Sequence, residues 1–216
     1  MHSVARSLAD LRAALPAGVA LVAVSKFHPV SRLMEAYDAG QRVFAESRPQ
    51  ELAAKVPQMP ADVQWHFIGH LQTNKLKMVL PYVSLVQSVD SRHLLEAIND
   101  WATANHRTVD VLLELHLGAE VTKQGFTEEE ILDLVSVHEA GIRIRGLMGM
   151  ATNTEDMAVV EQDFARIERL YKTIKASGLE GFDQLSIGMS ADWPVAVRHG
   201  ATMVRIGTDI FGPREY

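Results

Sequence analysis

Short apolar runs alternate with amphipathic stretches from one end of the chain to the other. The runs are rich in small and β-branched residues, which is typical of buried strands. They are ALVAVS (20–25), RVFAES (42–47), QWHFIG (64–69), SLVQSVD (84–90), DVLLELHL (110–117), RIRGLMGM (143–150), QLSIGMS (184–190) and TMVRIGTD (202–209). The pattern therefore predicts eight strands, with a helix-length segment between each strand and the next.

The segments between the runs carry apolar residues at helical spacing. Two of them, 127–139 and 155–176, begin with or just after a threonine that precedes acidic residues, which is a helix N-cap signal. These segments are typical of an outer helical layer, and we assign them no chemistry. A further helix is predicted at 3–15, before the first strand. Such alternation predicts a parallel sheet, either closed into a barrel or open and doubly wound.

The positions of chemically useful residues favour the barrel. Nearly all the runs end in such a residue or lead into one: Lys26, Glu46, His70, Asp90, Met148, Ser190 and Gly207. A barrel gathers the carboxyl ends of all its strands around one mouth, whereas an open sheet concentrates its site at one switch point. No Gly-x-Gly-x-x-Gly motif follows the first run, which weakens a dinucleotide-binding interpretation. We predict one α/β domain over residues 1–216, a (β/α)8 TIM barrel with an extra N-terminal helix.

Composition narrows the class of protein further. Of 216 residues, 47% are hydrophobic and 22% charged, as in an ordinary globular domain. The net charge of −6, without a basic stripe, argues against nucleic acid as a partner. No apolar stretch is long enough to span a membrane, and the N-terminus does not have the pattern of a secretory signal. Cysteine is absent, which excludes disulfides and thiolate chemistry and predicts a cytoplasmic location.

Lys26 comes at the end of the first buried run. A lysine there needs water, an anion or a covalent partner, because an unpaired buried ammonium is costly. One interpretation is an ion pair at the barrel rim, with Glu46 or Asp90 as the partner. The other is a Schiff-base lysine, whose partly desolvated amine has a lowered pKa and is nucleophilic.

Glycine-containing turns follow the last two runs, in SIGMSADW (186–193) and VRIGTDIFG (204–212). Each segment predicts a strand, followed by a glycine turn and the start of a short helix. Gly188 to Ser190, and Gly207 with Thr208, would present amides and hydroxyls to a phosphate, at the position where barrels bind one. Ordinary turn and capping chemistry is the alternative explanation.

Two further polar features lie within or beside predicted strands. Arg205 stands between Val204 and Ile206, so alternation points its side chain to the opposite face, into the barrel. There it needs an internal ion pair or a ligand. His66 and His70 have no third ligand type at metal-site spacing, so we predict no metal site and assign both to the barrel core or rim.

Five segments together resemble one known family. VAVSK, WHFIGHLQTNK, RGLM, LSIGMSADW and VRIGTDIFG, in this order from about residue 5 to the C-terminus, closely resemble the YggS/PROSC family of pyridoxal 5′-phosphate (PLP) homeostasis proteins. That family is similar to the N-terminal barrel domain of bacterial alanine racemase and to fold-III decarboxylases. The resemblance implies PLP as the cofactor.

The resemblance also implies a role for individual residues. Lys26 would carry PLP as a Schiff base, and Arg205 would face the pyridine nitrogen. The phosphate would be held by Ser190, Gly207 and Thr208, and the pocket would be lined by Met148 and His66. An arginine cannot accept the ring proton, so the ring would stay neutral and act as a weak electron sink.

One motif departs from the family pattern. The chain reads FAESRPQE (44–51) where members commonly read FGENYVQE, so that Ala45, Ser47 and Arg48 replace glycine, asparagine and tyrosine. The asparagine usually lies near the cofactor, which makes Ser47 a candidate contact. His70 stands where proline is common.

These features lead to a PLP-binding protein that contributes to intracellular PLP homeostasis, with little or no catalytic activity and no catalytic residue assigned. Racemases add a second domain that supplies a tyrosine base, and we expect none here because the chain ends at Tyr216. The alternatives are a weak PLP-dependent racemase or lyase with His66 or His70 as base, and a phosphosugar enzyme, which leaves Lys26 less explained. Expected partners are PLP and, as recipients, apo PLP-dependent enzymes or amino acids, with no nucleic acid, no membrane and a monomeric state.

Overall fold

Eight parallel strands close into a barrel in the order in which they follow one another along the chain. The computed structural model describes residues 3–118, 124–136 and 140–213. The strands are β1 (Ala20–Val24), β2 (Val43–Glu46), β3 (Gln64–Phe67), β4 (Val83–Val89), β5 (Val109–Leu115), β6 (Ile142–Gly149), β7 (Gln184–Ser186) and β8 (Met203–Ile206). Closure comes from parallel pairing of β8 with β1. The predicted (β/α)8 barrel is confirmed.

Helices connect the strands and surround the barrel. In the described ranges they are α1 (Val4–Ala14), α2 (Val30–Asp38), α3 (Pro49–Lys55), α4 (Leu76–Val79), α5 (Arg92–Ala104), α6 (Glu128–Val135), α7 (Met157–Ala176), α8 (Trp193–Arg198) and α9 (Thr208–Phe211). The extra N-terminal helix is present as α1, where the Ser3 hydroxyl accepts from the Arg6 amide. Among the described helices, none is both long and apolar enough to cross a membrane.

The two predicted threonine caps differ in outcome. Thr127 caps α6 in a complete capping box, because its side chain accepts from the Glu130 amide while the Glu130 carboxylate accepts from the Thr127 amide. α7 begins two residues later than predicted, since Asp156 provides its N-cap by accepting from the Ala158 amide. Residues 137–139 of the first predicted segment lie outside the described ranges.

The barrel has two packing surfaces. Outward-facing strand residues, Val204 and Ile206 of β8 among them, pack with the helices in one large apolar cluster. A smaller cluster fills the interior, and its buried members are Val22, Ala45, Leu85, Leu112, Met148 and Met203. Arg205 follows Met203 by two residues, so strand alternation places both inside the barrel, as predicted. The barrel interior therefore contains both a small apolar cluster and the charged side chain of Arg205.

A bulge at Arg145 sets which residues of β6 face inward. Val111 pairs with Ile144, but Leu112 pairs with Gly146, so one residue of β6 is skipped. Gly146 has φ +157°, and a Cβ there would lie 1.7 Å from the carbonyl oxygen of Gln184, so only glycine fits. Beyond the bulge the alternation continues inward through Met148.

The ring of His199 joins α7 to the C-terminal end of α8. Its Nδ1 lies 2.7 Å from Glu168 and its Nε2 lies 2.7 Å from Glu161. Burial lowers the pKa of the imidazole, but the hydrogen bonds to Glu161 and Glu168 outweigh burial and raise that pKa above its ordinary value. A ring that donates from both nitrogens is protonated.

We expect His199→Gln to cost more stability at pH 6 than at pH 9. Because the folded-state pKa is raised, the stabilisation is complete below the unfolded-state pKa of about 6.5 and is lost as the pH rises through the folded-state pKa. Urea unfolding of both proteins at the two pH values measures the difference. An equal loss at pH 6 and pH 9 would show that the charge of His199 does not contribute.

Candidate cofactor-binding site

A cavity of about 290 Å³ opens at the mouth of the barrel, near the lower end of the range for small-molecule sites. Its walls come from the carboxyl ends of β1, β3, β6, β7 and β8. The lining residues are Val24, Lys26, His28, Ile68, Met148, Met150, Met189, Ser190, Ala191, Arg205, Gly207 and Thr208. The carboxyl-terminal mouth is where (β/α)8 barrels place their functional groups.

A larger cavity, of about 700 Å³, lies at the opposite end of the barrel, around the starts of β5 and β6. Its two arginines are already paired: Arg143 contacts Asp110 at 2.7 Å, and Arg145 contacts Asp110 at 3.0 Å and Asp183 at 3.1 Å. Both guanidinium groups are thus already neutralised by carboxylates of the barrel itself. The smaller cavity at the mouth is therefore the better candidate for a functional site.

The mouth cavity unites six of the eight residues predicted to contact the cofactor. These six are Lys26, Met148, Ser190, Arg205, Gly207 and Thr208. Ser47 and His66 are not part of its wall. The backbone of Ser47 packs against Gly69, where a Cβ would come within 2.1 Å of the Ser47 carbonyl oxygen. His66 lies deeper in the barrel and is 6% exposed. A direct contact from either residue to the cofactor stays a prediction.

Lys26 is half-buried and follows fully buried Ser25 at the end of β1. Both carboxylates suggested as its ion-pair partners are engaged by other residues. Glu46 accepts from Lys55 at 2.7 Å and from the Ser25 hydroxyl at 2.6 Å. Asp90 lies 2.9 Å from Nδ1 of His70.

The two glycine turns form one side of the cavity. Gly188 has φ +94°, and a Cβ there would lie 2.6 Å from the Cβ of Ala196, so glycine is required. Helix α8 begins at Trp193 with Asp192 as its N-cap, which leaves Ser190 in the preceding turn. The Asp192 carboxylate accepts from the Met189 amide at 2.6 Å and so fixes this turn.

The second turn brings Gly207 and Thr208 to the same wall. Gly207 is the N-cap of α9, and a Cβ on it would lie 3.2 Å from the Val24 carbonyl oxygen, close to the end of β1. The Ser190 and Thr208 hydroxyls bond to no other residue within the described ranges. Two hydroxyls on neighbouring turns are thus available to an anionic group near Lys26.

Arg205 begins a directional chain of hydrogen bonds across the barrel interior. Its guanidinium donates to the Ser186 hydroxyl at 2.7 Å, and it also donates to the carbonyl oxygens of Ser186 and Gly149. Because arginine only donates, the Ser186 hydroxyl gives its own proton to Oε1 of Gln87, at 2.7 Å. Nε2 of Gln87 then donates to Nδ1 of His66, at 2.8 Å. This direction places the His66 proton on Nε2.

Burial shifts the pKa values of His66 and Arg205, the groups at the two ends of this series of hydrogen bonds. It lowers the pKa of His66 to about 4, so the imidazole is neutral at physiological pH. Burial also lowers the pKa of Arg205 to about 10, although the charges of Glu114 and Asp192 oppose the shift. Arg205 therefore stays charged and presents a fixed cation to the cavity.

Glu114 was not predicted from the sequence. It lies on β5 beside Met148, and burial together with the charge of Asp90 raises its pKa to about 7, against the opposing effects of Arg205 and His70. Its position two residues after inward-facing Leu112 was the available signal. His28 was likewise not predicted as a site residue. Its ring lines the cavity and packs against Phe211, with ring centroids 4.9 Å apart.

Comparisons with known proteins agree with this geometry. The family model "Alanine racemase, N-terminal domain" matches residues 1–215. The pyridoxal phosphate homeostasis protein of Vibrio alginolyticus is 36% identical over 208 residues, which cover 93% of this chain and 89% of the relative. That of Schizosaccharomyces pombe is 38% identical over 202 residues, covering 91% and 84%.

Solved structures extend the comparison. PipY of Synechococcus elongatus, with PLP bound, superposes with a TM-score of 0.87 at 36% identity and covers 97% of this chain and 100% of its own. The alanine racemase of Clostridium difficile superposes at 0.80 with 14% identity, covering 99% of this chain and 57% of the enzyme, and shows the fold alone. This chain belongs to the pyridoxal phosphate homeostasis protein family, built on the alanine racemase N-terminal domain.

Proposed function

We propose that this protein binds PLP through Lys26 and contributes to PLP homeostasis. The observation that carries the proposal is the convergence, in one cavity, of a lysine amine, a buried guanidinium and two glycine turns that bear hydroxyls. A relative that is 36% identical and has the same fold is known with PLP bound.

The donor set fits PLP group by group. PLP supplies an aldehyde that condenses with a primary amine, and Lys26 provides that amine at the end of β1. Ser190 and Thr208 would donate to the phosphate, while the glycines allow the backbone to approach it closely. Arg205 would donate to the pyridine nitrogen. Met148 and Ile68 would pack against the ring.

Holding PLP, rather than catalysis on it, is the function that these residues favour. Arg205 is charged and can only donate, so it leaves the ring nitrogen unprotonated and the electron sink weak. The bases named for the enzyme alternative do not line the cavity: His66 is buried and bonded to Gln87, and His70 is bonded to Asp90. Their positions support the homeostasis function over a racemase or lyase.

Spectroscopy of the purified protein tests the proposal. After incubation with PLP and desalting, we expect an absorbance band near the visible edge that borohydride abolishes. We also expect PLP to pass from the loaded protein to an apo PLP-dependent enzyme, and L-alanine to keep its optical activity. Rapid racemisation of alanine would contradict the homeostasis function and favour the enzyme alternative.

We expect Ser190→Ala and Thr208→Val to weaken PLP binding about ten- to a hundred-fold each. A hydroxyl that bonds to a charged phosphate contributes about 1.5–3 kcal/mol. Pyridoxal, which lacks the phosphate, is the control ligand, and its affinity should change less than about twofold. Titrations with both ligands give the comparison. Equal losses for PLP and pyridoxal would show that the two turns do not hold the phosphate.

The proposal includes partners and location. Recipients of the cofactor would be apo PLP-dependent enzymes or free amino acids, and the protein would act as a cytoplasmic monomer without a nucleic-acid partner. The net charge of −6 supports the lack of a nucleic-acid partner, and the absence of cysteine supports the cytoplasmic location. Gel filtration coupled to light scattering measures the oligomeric state directly.

A further inference from the structure

A buried cluster of charged residues lies beside the loop that carries Lys26. Lys55, on α3, places its ammonium 2.7 Å from Glu46 at the end of β2 and 2.7 Å from Glu51 one turn earlier on α3. The third ammonium proton goes to the Ser25 carbonyl oxygen, at 2.8 Å. The side chains of Lys55 and Glu46 are 7% and 0% exposed. All three donors of Lys55 are thus used inside the protein.

This cluster holds both chain neighbours of Lys26. On one side, Ser25 donates its hydroxyl to Glu46 at 2.6 Å and accepts at its carbonyl from Lys55. On the other side, the Phe27 amide donates to Glu51 at 2.7 Å. The same carboxylate oxygen of Glu51 also accepts from Lys55. The peptide groups before and after Lys26 are therefore tied to one set of charges.

Phe27 needs such a constraint because its backbone has φ +68°. The left-handed region is unfavourable for an aromatic residue and is kept only where surrounding contacts impose it. Two contacts do so here: the bond from the Phe27 amide to Glu51, and the Arg48 guanidinium, which stacks 4.3 Å from the centroid of the Phe27 ring. Lys26 stands directly before this turn, at the end of β1.

Stability alone does not explain a buried charge cluster at this position. Desolvation of buried ions offsets most of their attraction, so an apolar replacement of similar shape is often as stable. Oε2 of Glu46 is buried and has no hydrogen-bond partner in the described part of the chain. In some proteins, buried polar groups of this kind fix one geometry.

We propose that Glu51, together with Lys55 and Glu46, is a positioning residue that fixes the Phe27 turn and thereby aims the amine of Lys26 into the cavity. The inference rests on the proposed function, since the amine it aims is the one that would bond to PLP. None of the three residues lines the cavity, so they act through the loop and not on the ligand.

Glu51→Ala compared with Glu51→Gln tests the inference. Alanine removes the acceptor for the Phe27 amide, whereas the glutamine oxygen retains it. Misplacement of a reacting group by about 1 Å can slow a reaction by up to about a hundredfold. We expect Glu51→Ala to slow formation of the covalent linkage at Lys26 by about tenfold, and Glu51→Gln to recover most of that rate. Stopped-flow absorbance after mixing with PLP measures it.

A non-reacting ligand separates the orientation of the Lys26 amine from the shape of the cavity. Pyridoxine 5′-phosphate carries an alcohol instead of the aldehyde, so its affinity reports the cavity without the covalent step. We expect that affinity to stay within about twofold in Glu51→Ala. Glu96→Ala, an exposed glutamate on α5, is the matched control and should change neither measurement.

Three results would overturn the inference. The first is an unchanged linkage rate in Glu51→Ala, and the second is an equal loss for PLP and pyridoxine 5′-phosphate. The third is an unchanged rate in the double variant Lys55→Met with Glu46→Gln, which removes the paired charges together and avoids stranding one of them. Absence of any linkage in the unmodified protein is a separate result, which would overturn the proposed function and this inference with it.

Discussion

Lys26→Ala is expected to abolish covalent retention of PLP and leave the barrel folded. Lys26 is half-buried at the rim of the mouth, so its truncation leaves the two apolar clusters of the barrel intact. The primary amine that closes the linkage would be gone. Intact-mass measurement after incubation with equimolar PLP and borohydride reduction should show one added PLP unit on the unmodified protein and none on the variant.

Lys77→Ala provides the matched control, because Lys77 is an exposed lysine on α4 that does not line the cavity. It should gain PLP to the same extent as the unmodified protein. Circular dichroism of all three proteins checks that they share one fold. A PLP-sized adduct that persists at the mouth in Lys26→Ala would assign the linkage to another residue.

Arg205→Met is expected to lower both stability and PLP affinity. The guanidinium donates to the Ser186 hydroxyl and to the carbonyl oxygens of Ser186 and Gly149, and methionine leaves these buried acceptors without that donor. Each such loss costs about 1–3 kcal/mol and the losses are not additive, so we expect about 3 kcal/mol in the free energy of unfolding. PLP affinity should fall at least about tenfold, since the cavity loses its buried cation.

Arg205→Lys separates the charge from the hydrogen bonds. Lysine keeps the positive charge but cannot reproduce the planar fork that spans Ser186 and Gly149. Urea unfolding should therefore show a stability loss like that of Arg205→Met, while PLP titration should show a smaller loss of affinity. If Arg205→Met binds PLP as tightly as the unmodified protein, Arg205 serves the barrel interior and does not face the ligand.

Strand periodicity and strand-end chemistry were enough to predict the architecture and to gather six of the predicted residues at the wall of one cavity. Arg205 could be placed inside the barrel because alternation against Val204 and Ile206 fixes its face. Lys26 and Gly207 could be placed at one mouth because all parallel strands of a barrel end there. These predictions use only local spacing and closure, which the sequence contains.

Contacts between distant segments could not be predicted in the same way. The tie between Glu51 and the Phe27 amide depends on how α3 packs against the loop after β1, and no local pattern encodes that distance. The bulge at Arg145 likewise depends on pairing with β5. The backbone of Ser47 packs against Gly69, another contact between separate segments that no local pattern encodes, and a contact from Ser47 to the cofactor stays a prediction.

Peptide mapping of the loaded protein identifies the residue that PLP joins. The unmodified protein would be incubated with equimolar PLP, reduced with borohydride, digested and sequenced by tandem mass spectrometry. We predict that the modification lies on Lys26, at the end of β1. An adduct distributed over exposed lysines such as Lys77 and Lys172, with Lys26 unmodified, would contradict it.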